Sequence, residues 1–193
     1  MELILQTFHS KQFQFGLASP TGFFEIKHFL KQHKENNAAR NELIYTVHAQ
    51  ATLIGLVRLV PLLAPELTSE LEPSNIPNSR LEEASSRNDE YWLRGLFIAP
   101  DFRGQRLATK LLNWLQSDLK ERFNTFDTHA GSHGSTPLKP LKVHAFPHEH
   151  LKSFYEHAGF ISTDPNELPF TLKTRYQNAI KNRKNWLCMT LVI

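Results

Sequence analysis

The chain has 193 residues, with 22 Lys and Arg against 19 Asp and Glu and a formal net charge of +3. Its 40% hydrophobic and 21% charged content is that of a folded chain rather than a disordered one, and its length predicts one domain over residues 1–193. The single cysteine, Cys188, excludes a disulfide framework and a cysteine-based zinc ribbon; no stretch reads as a signal peptide or a membrane span, so a cytoplasmic protein without a membrane partner is expected.

Residues 3–5 and 13–15 flank a polar break and predict one or two short strands. Ser19-Pro20-Thr21 is a helix start, and Phe23, Ile26 and Leu30 follow at helical spacing. Residues 45–48 and 53–60 are β-rich runs about four residues apart, an expected antiparallel pair. Residues 62–90 then change character: three prolines interrupt a stretch with seven acidic and two basic residues, net −5. A structureless segment of that length inside a domain is uncommon, and it is read as an acidic loop insertion. The remainder of the chain carries +8, which suits an anionic ligand.

Residues 91–98 predict a strand, 99–104 a turn, and Ala108, Leu111, Leu112, Leu115 and Leu119 a long amphipathic helix. Residues 124–140 are rich in Thr, Gly, Ser and Pro and predict a loop. Residues 142–146 are strand-like. Leu151, Phe154, Tyr155 and Ala158 lie on one face of a short helix closed by Gly159. The tail reads as alternating loop and strand, ending in a strand over 186–192. The alternation of strand and helix places the chain in the α/β class. Trp92 and Trp114 are expected in the core, and the run Lys173, Arg175, Lys181, Arg183 and Lys184 is expected on a solvated face or against a ribose phosphate.

Two segments carry chemistry. In Leu96-Phe97-Ile98-Ala99-Pro100-Asp101-Phe102-Arg103-Gly104-Gln105-Arg106-Leu107-Ala108-Thr109 a strand feeds a short turn that opens a helix. The first N–H groups of a helix lack intrahelical acceptors and its dipole favours negative charge, so this is a ready anion site, to which Arg103 and Arg106 add charge. The bland alternative is an ordinary strand–helix junction with two solvated arginines. It is neither a dinucleotide fingerprint nor a phosphate-binding P-loop, since one glycine is present and no Gly-Lys-Ser/Thr follows. The second segment is Phe154-Tyr155-Glu156-His157-Ala158-Gly159-Phe160, after the strand that carries His144 and ends at Pro147.

Together the two segments resemble the GNAT superfamily of N-acetyltransferases, in order and in spacing. Arg103 and Ala108 match the ends of its Arg/Gln-x-x-Gly-x-Gly/Ala signature, and residues 154–160 match its Phe-Tyr-x-x-x-Gly-Phe mark. Arg106 departs from the pattern, filling a glycine position. It either turns outward to a phosphate, or its stem crowds the site.

The resemblance implies a mixed, partly splayed sheet flanked by helices and acetyl-CoA as acyl donor. Its pantetheine arm would bond the backbone at Leu96 and Ile98, past Phe97, and its pyrophosphate would sit on the turn Arg103, Gly104, Gln105, Arg106, Leu107, Ala108 and Thr109, with no metal. The implied reaction is transfer of acetyl to a primary amine of a small-molecule or protein acceptor. Tyr155 would be the acid that protonates the thiolate. For the base that takes the amine proton, Glu90 is the first candidate, with His144 and His148 as alternatives. An acidic insertion beside the acceptor pocket would favour a cationic acceptor. A GNAT-like acyl-CoA-binding or regulatory protein with impaired catalysis is the alternative function. Nucleic acid is disfavoured, because no aromatic residues interleave the basic run; a homodimer is left open.

Overall fold

The computed structural model describes residues 13–62, 90–129 and 140–193, with the side chains of 123–129 excepted. The elements run β1 (Phe13–Leu17), α1 (Phe23–Gln32), β2 (Leu43–Ala49), β3 (Thr52–Pro61), β4 (Glu90–Ile98), α2 (Leu107–His129), β5 (Lys142–Ala145), α3 (Lys152–His157), β6 (Ile161–Ser162), α4 (Phe170–Lys181) and β7 (Met189–Val192). The strands form one seven-stranded sheet in the order β1-β2-β3-β4-β5-β7-β6. All its pairings are antiparallel except β4 with β5.

Helices cover both faces. Tyr45, Val57, Leu59 and Leu93 pack beneath Leu111, Leu112 and Leu115 of α2. The α1 stripe Ile26, Phe29 and Leu30 closes the opposite face against Ile44, Leu53 and Leu56. Burying each such side chain stabilises by about 1.5–3 kcal/mol, which is why these periodic segments settle as helices on the sheet. Tyr45 ties the α2 face further by donating to Asp118 Oδ2 at 2.9 Å. Ser19 caps the turn that leads into α1, its Oγ accepting from Gly22 N–H at 3.3 Å.

Two irregularities in β4 open the sheet. Its pairing with β3 runs Arg58↔Gly95 and then Leu59↔Leu93, so Arg94 is the extra residue of a β-bulge, which bends and twists the strand. Its parallel pairing with β5 begins at Glu90↔Lys142 and stops at Leu93↔Ala145. From Arg94 to Ile98 the strand continues with no described partner on that side, so the two strands part at the bulge.

The structure departs from the sequence reading at several places. Glu90 is the first residue of β4 rather than the end of the insertion, and Leu62 N–H donates to the Glu90 carbonyl at 2.9 Å. The insertion therefore leaves from the closed end of the β3–β4 hairpin; residues 63–89, like 3–5, lie outside the described residues. Helix α2 runs on to His129, through residues whose composition predicts a loop. The tail holds a twelve-residue helix, α4, where the sequence predicts loop and strand. The last strand starts at Met189 rather than at 186, and Trp186 makes only an isolated bridge to His148.

Candidate active site

The opening between β4 and β5 continues into a cavity of about 590 Å³, the splay cavity. Leu96, Phe97 and Ile98 form one wall, the turn with Arg103, Gly104, Arg106, Leu107, Ala108 and Thr109 forms the floor, and Leu151, Phe154 and Tyr155 close it. Both sequence segments thus meet in space. Of the residues expected to hold the cofactor, only Gln105 is missing from this lining.

The turn is built to leave donors free. Ala99 N–H pairs with Ile54 O at 2.8 Å, and a single 3-10 turn over Pro100–Phe102 comes next. Gly104 then adopts φ +77° and Arg106 φ +57°. The first helical bond of α2 runs from Lys110 N–H to Arg106 O at 3.0 Å, so the N–H groups of Leu107, Ala108 and Thr109 precede it. No acidic residue occupies this first turn to neutralise the dipole. The left-handed φ of Arg106 explains in physical terms why the matching signature has glycine there.

The two arginines do different work. Arg103 does not extend into the cavity as a free charge, as the sequence suggested: its Nε donates to the Ile98 carbonyl at 2.9 Å and its guanidinium lies 5.4 Å from the Phe97 ring centre. It braces the turn against the end of β4, and it already occupies a carbonyl expected to serve the pantetheine arm. Arg106 is exposed and makes no ion pair with the described residues.

Tyr155 stands in the cavity wall, 6% exposed, edge-on to Phe154 and Phe160 at 5.3 and 5.2 Å. Its hydroxyl makes no hydrogen bond with the described residues. Burial pushes its pKa up to about 12, so the phenol keeps its proton at neutral pH. That is the state an acid needs.

Glu90 is elsewhere. With Trp92 and Arg94 it lies on the other face of β4 and lines a second cavity of about 770 Å³ against the start of α4, the α4 cavity. His144, paired in register with Trp92, sits beside Glu90: Glu90 Oε2 is 3.8 Å from His144 Nε2, and His144 Nδ1 shares a hydrogen bond of 3.0 Å with Thr190 Oγ1. Burial holds the His144 imidazole below its usual pKa, with Lys142 pushing the same way and Glu90 opposing. His148 stacks on His150 with ring centres 5.7 Å apart and lines neither cavity. Trp92 is buried as expected, and Trp114 is partly buried, packed edge-on to Tyr45.

One feature had no signal in local sequence. Glu42, at the entrance to β2, has a fully buried side chain and receives Arg94 Nη1 at 2.8 Å, with Arg58 Nη1 at 3.7 Å. Arg58 also donates to Asn36 O at 2.9 Å. This cluster ties the loop before β2 to the bulge of β4. Among the described residues no group of His, Cys, Asp and Glu could hold a metal, and no helix is long and apolar enough to cross a membrane.

A family model described as the acetyltransferase (GNAT) domain matches residues 75–162, a span that includes β4, α2, β5 and α3. No curated protein matches the chain. Among solved structures, the ribosomal-protein-S18-alanine N-acetyltransferase of Escherichia coli superposes with a TM-score of 0.53 at 14% identity, covering 94% of both chains. A GNAT-family acetyltransferase from Staphylococcus aureus gives 0.52 at 10% identity, covering 94% of this chain and 99% of that one. The N-acetylglutamate synthase of Neisseria gonorrhoeae, solved with coenzyme A and L-arginine, gives 0.51 at 12% identity; the match covers 94% of this chain and 33% of the synthase. At such identities the likeness is one of fold.

Proposed function

We propose that the chain is a member of the GNAT acetyltransferase superfamily, whose domain model matches residues 75–162, and that it is an N-acetyltransferase carrying acetyl from acetyl-CoA to a primary amine. The observation that carries this reading is the meeting of three features in one cavity: a strand edge unpaired among the described residues, an uncapped helix start and a protonated tyrosine whose hydroxyl has no partner among the described residues. Acetyl-CoA would supply an acyl group on a good leaving thiolate, and the synthase of similar fold was solved with coenzyme A.

The residues fit such a donor. Beyond Leu93 the free edge of β4 offers amide groups at the spacing of a strand, to which an extended amide-bearing arm adds as a further strand would. The N–H groups of Leu107, Ala108 and Thr109 cradle a pyrophosphate, and the exposed Arg106 guanidinium reaches it from outside. On this reading the left-handed backbone at Arg106 is strain kept for that contact.

Transfer forms a C–N bond and breaks a C–S bond. Water takes the proton that makes the amine nucleophilic, because Glu90 lines the α4 cavity and not the splay cavity. Backbone N–H groups of the splayed strand stabilise the oxyanion of the tetrahedral intermediate. Tyr155 gives its proton to the departing thiolate and recovers it from solvent. Free-thiol release from acetyl-CoA, read against a panel of primary amines, tests the proposal: amine-dependent release supports it, and release from none contradicts it. A second reading, an acyl-CoA-binding protein without turnover, is favoured by the arginine in the glycine position, and coenzyme A binding without release would select it.

A further inference from the structure

The bulge of β4 is held by a buried cluster of charges. Arg94, its extra residue, donates from Nη1 to Glu42 Oε1 at 2.8 Å. Gly95, the next residue, turns to the same side: a Cβ added there would lie 3.1 Å from Arg58 Nη2. Arg58 stands opposite Gly95 on β3, 3.7 Å from Glu42 Oε2, and donates to Asn36 O at 2.9 Å. The Glu42 carboxylate thus grips one bulge residue directly and, through Arg58, backs the other.

The bulge decides which side chains form the wall of the splay cavity. Side chains alternate along a strand, so one inserted residue reverses the faces of those that follow. Leu93 packs in the core beneath α2; beyond the bulge Leu96 and Ile98 pack on that same side, while Phe97 packs with α1. A β4 without the extra residue would turn Leu96 and Ile98 toward α1 and Phe97 toward α2, and all three line the splay cavity. The parallel pairing with β5 stops at the same point, at Leu93↔Ala145. Stability alone does not account for such a cluster. The Glu42 side chain is fully buried and that of Arg58 is 3% exposed, and Glu42 Oε2 and Arg58 Nε make no hydrogen bond with the described residues. Buried charges repay their desolvation only in part, and apolar side chains of similar volume often serve stability as well. What apolar residues would not supply is a fixed register.

We infer that Arg94 and Glu42 are positioning residues for acyl transfer. Their ion pair fixes the bulge, and with it the register of the β4 edge along which the acyl-CoA arm extends and whose N–H groups face the reacting carbonyl. Neither residue lines the splay cavity, so both act through Leu96, Phe97 and Ile98. The inference rests on the transferase reading for the reaction it serves.

The test compares Arg94→Met, which removes the charge and keeps the length, with Arg94→Lys, which keeps a charged donor for Glu42. Tyr45→Phe is the control: it removes the hydrogen bond to Asp118, lowers Tm, and alters no residue of the splay cavity. Free-thiol release from acetyl-CoA with spermidine, phenethylamine and leucinamide is followed on the full chain, and coenzyme A is titrated calorimetrically, both well below Tm. A shift of about 1 Å at the reacting atoms costs up to about 100-fold in rate, so Arg94→Met lowers kcat about 10- to 100-fold. Arg94→Lys recovers most of that loss, and Tyr45→Phe keeps kcat. If Arg94→Met does not fold, Arg94→Gln, which offers Glu42 only a neutral donor, is read in its place. A lowered Tm with kcat and coenzyme A affinity within twofold of the unsubstituted chain overturns the inference. An equal loss in Arg94→Lys, or in Tyr45→Phe, overturns it too. Absence of thiol release by the unsubstituted chain with every amine tells against the transferase reading instead. Coenzyme A affinity then decides the positioning: a tenfold loss in Arg94→Met that Arg94→Lys restores supports it, and no loss overturns it.

Discussion

Arg106→Gly separates two consequences of placing an arginine in the cofactor turn. At φ +57° the residue sits in the left-handed region, where a side chain costs about 1–2 kcal/mol. Glycine returns part of that gain, about 0.4–1 kcal/mol, through its freer unfolded chain. The net stabilisation is about 0–1.6 kcal/mol, a rise of up to about 6 °C in Tm for a chain of this size. The same substitution removes a guanidinium from the floor of the splay cavity. A hydrogen bond from a charged group is worth about 1.5–3 kcal/mol, so coenzyme A binds about 10- to 100-fold more weakly. Thermal unfolding of the free protein and calorimetric titration with coenzyme A read the two effects separately. A lower Tm refutes the strain. A tighter complex refutes the phosphate contact and shows that the arginine stem crowds the site.

Tyr155→Phe removes the acid and keeps the ring, so kcat falls by about 100-fold while coenzyme A affinity holds; steady-state kinetics with unchanged kcat remove Tyr155 from the mechanism. Gly55→Ala places a Cβ 2.9 Å from the Phe97 carbonyl and 2.5 Å from Ile98 Cδ1. Displacing β4 in this way costs about 1–3 kcal/mol in a thermal unfolding assay and loosens coenzyme A, whose wall that strand forms. Glu42→Gln leaves the buried Arg58 without its compensating charge and costs about 3–5 kcal/mol, seen as a lower urea midpoint with an unchanged slope. His144 titrates lower in the folded chain than its ordinary value near 6.5 because it is buried. The unfolded chain therefore binds the extra proton first, and stability declines as pH falls below about 6.5 toward the folded pKa. His144→Gln flattens that decline in pH-dependent unfolding; an unchanged slope refutes the assignment.

The parts of the site legible in sequence are those where chemistry and backbone geometry coincide in one segment. Gly104 and Gly159 sit where φ is +77° and +87°, and the apolar spacing of Leu111, Leu112 and Leu115 seats α2 on the sheet. Helix α4 is obscured by its surface. Leu172, Tyr176 and Ala179 do keep helical spacing behind Pro169, but Phe170 is 81% and Ile180 45% exposed, so apolar residues also lie off the stripe. Its role at the second cavity depends on Arg175 meeting Trp92, a contact between distant segments. The same holds for Glu42 with Arg94, 52 residues apart. The bulge at Arg94 has no local signature either, yet it lies where β4 leaves β5. Neighbouring sequence reports the turn of the splay cavity, and tertiary contacts make the α4 cavity.

Calorimetric titration of the full chain with acetyl-CoA tests the central claim most directly, because every assignment in the splay cavity depends on that donor. One molecule bound per chain, with a raised Tm, is the expected result. No heat of binding and no change in Tm at millimolar acetyl-CoA would contradict it.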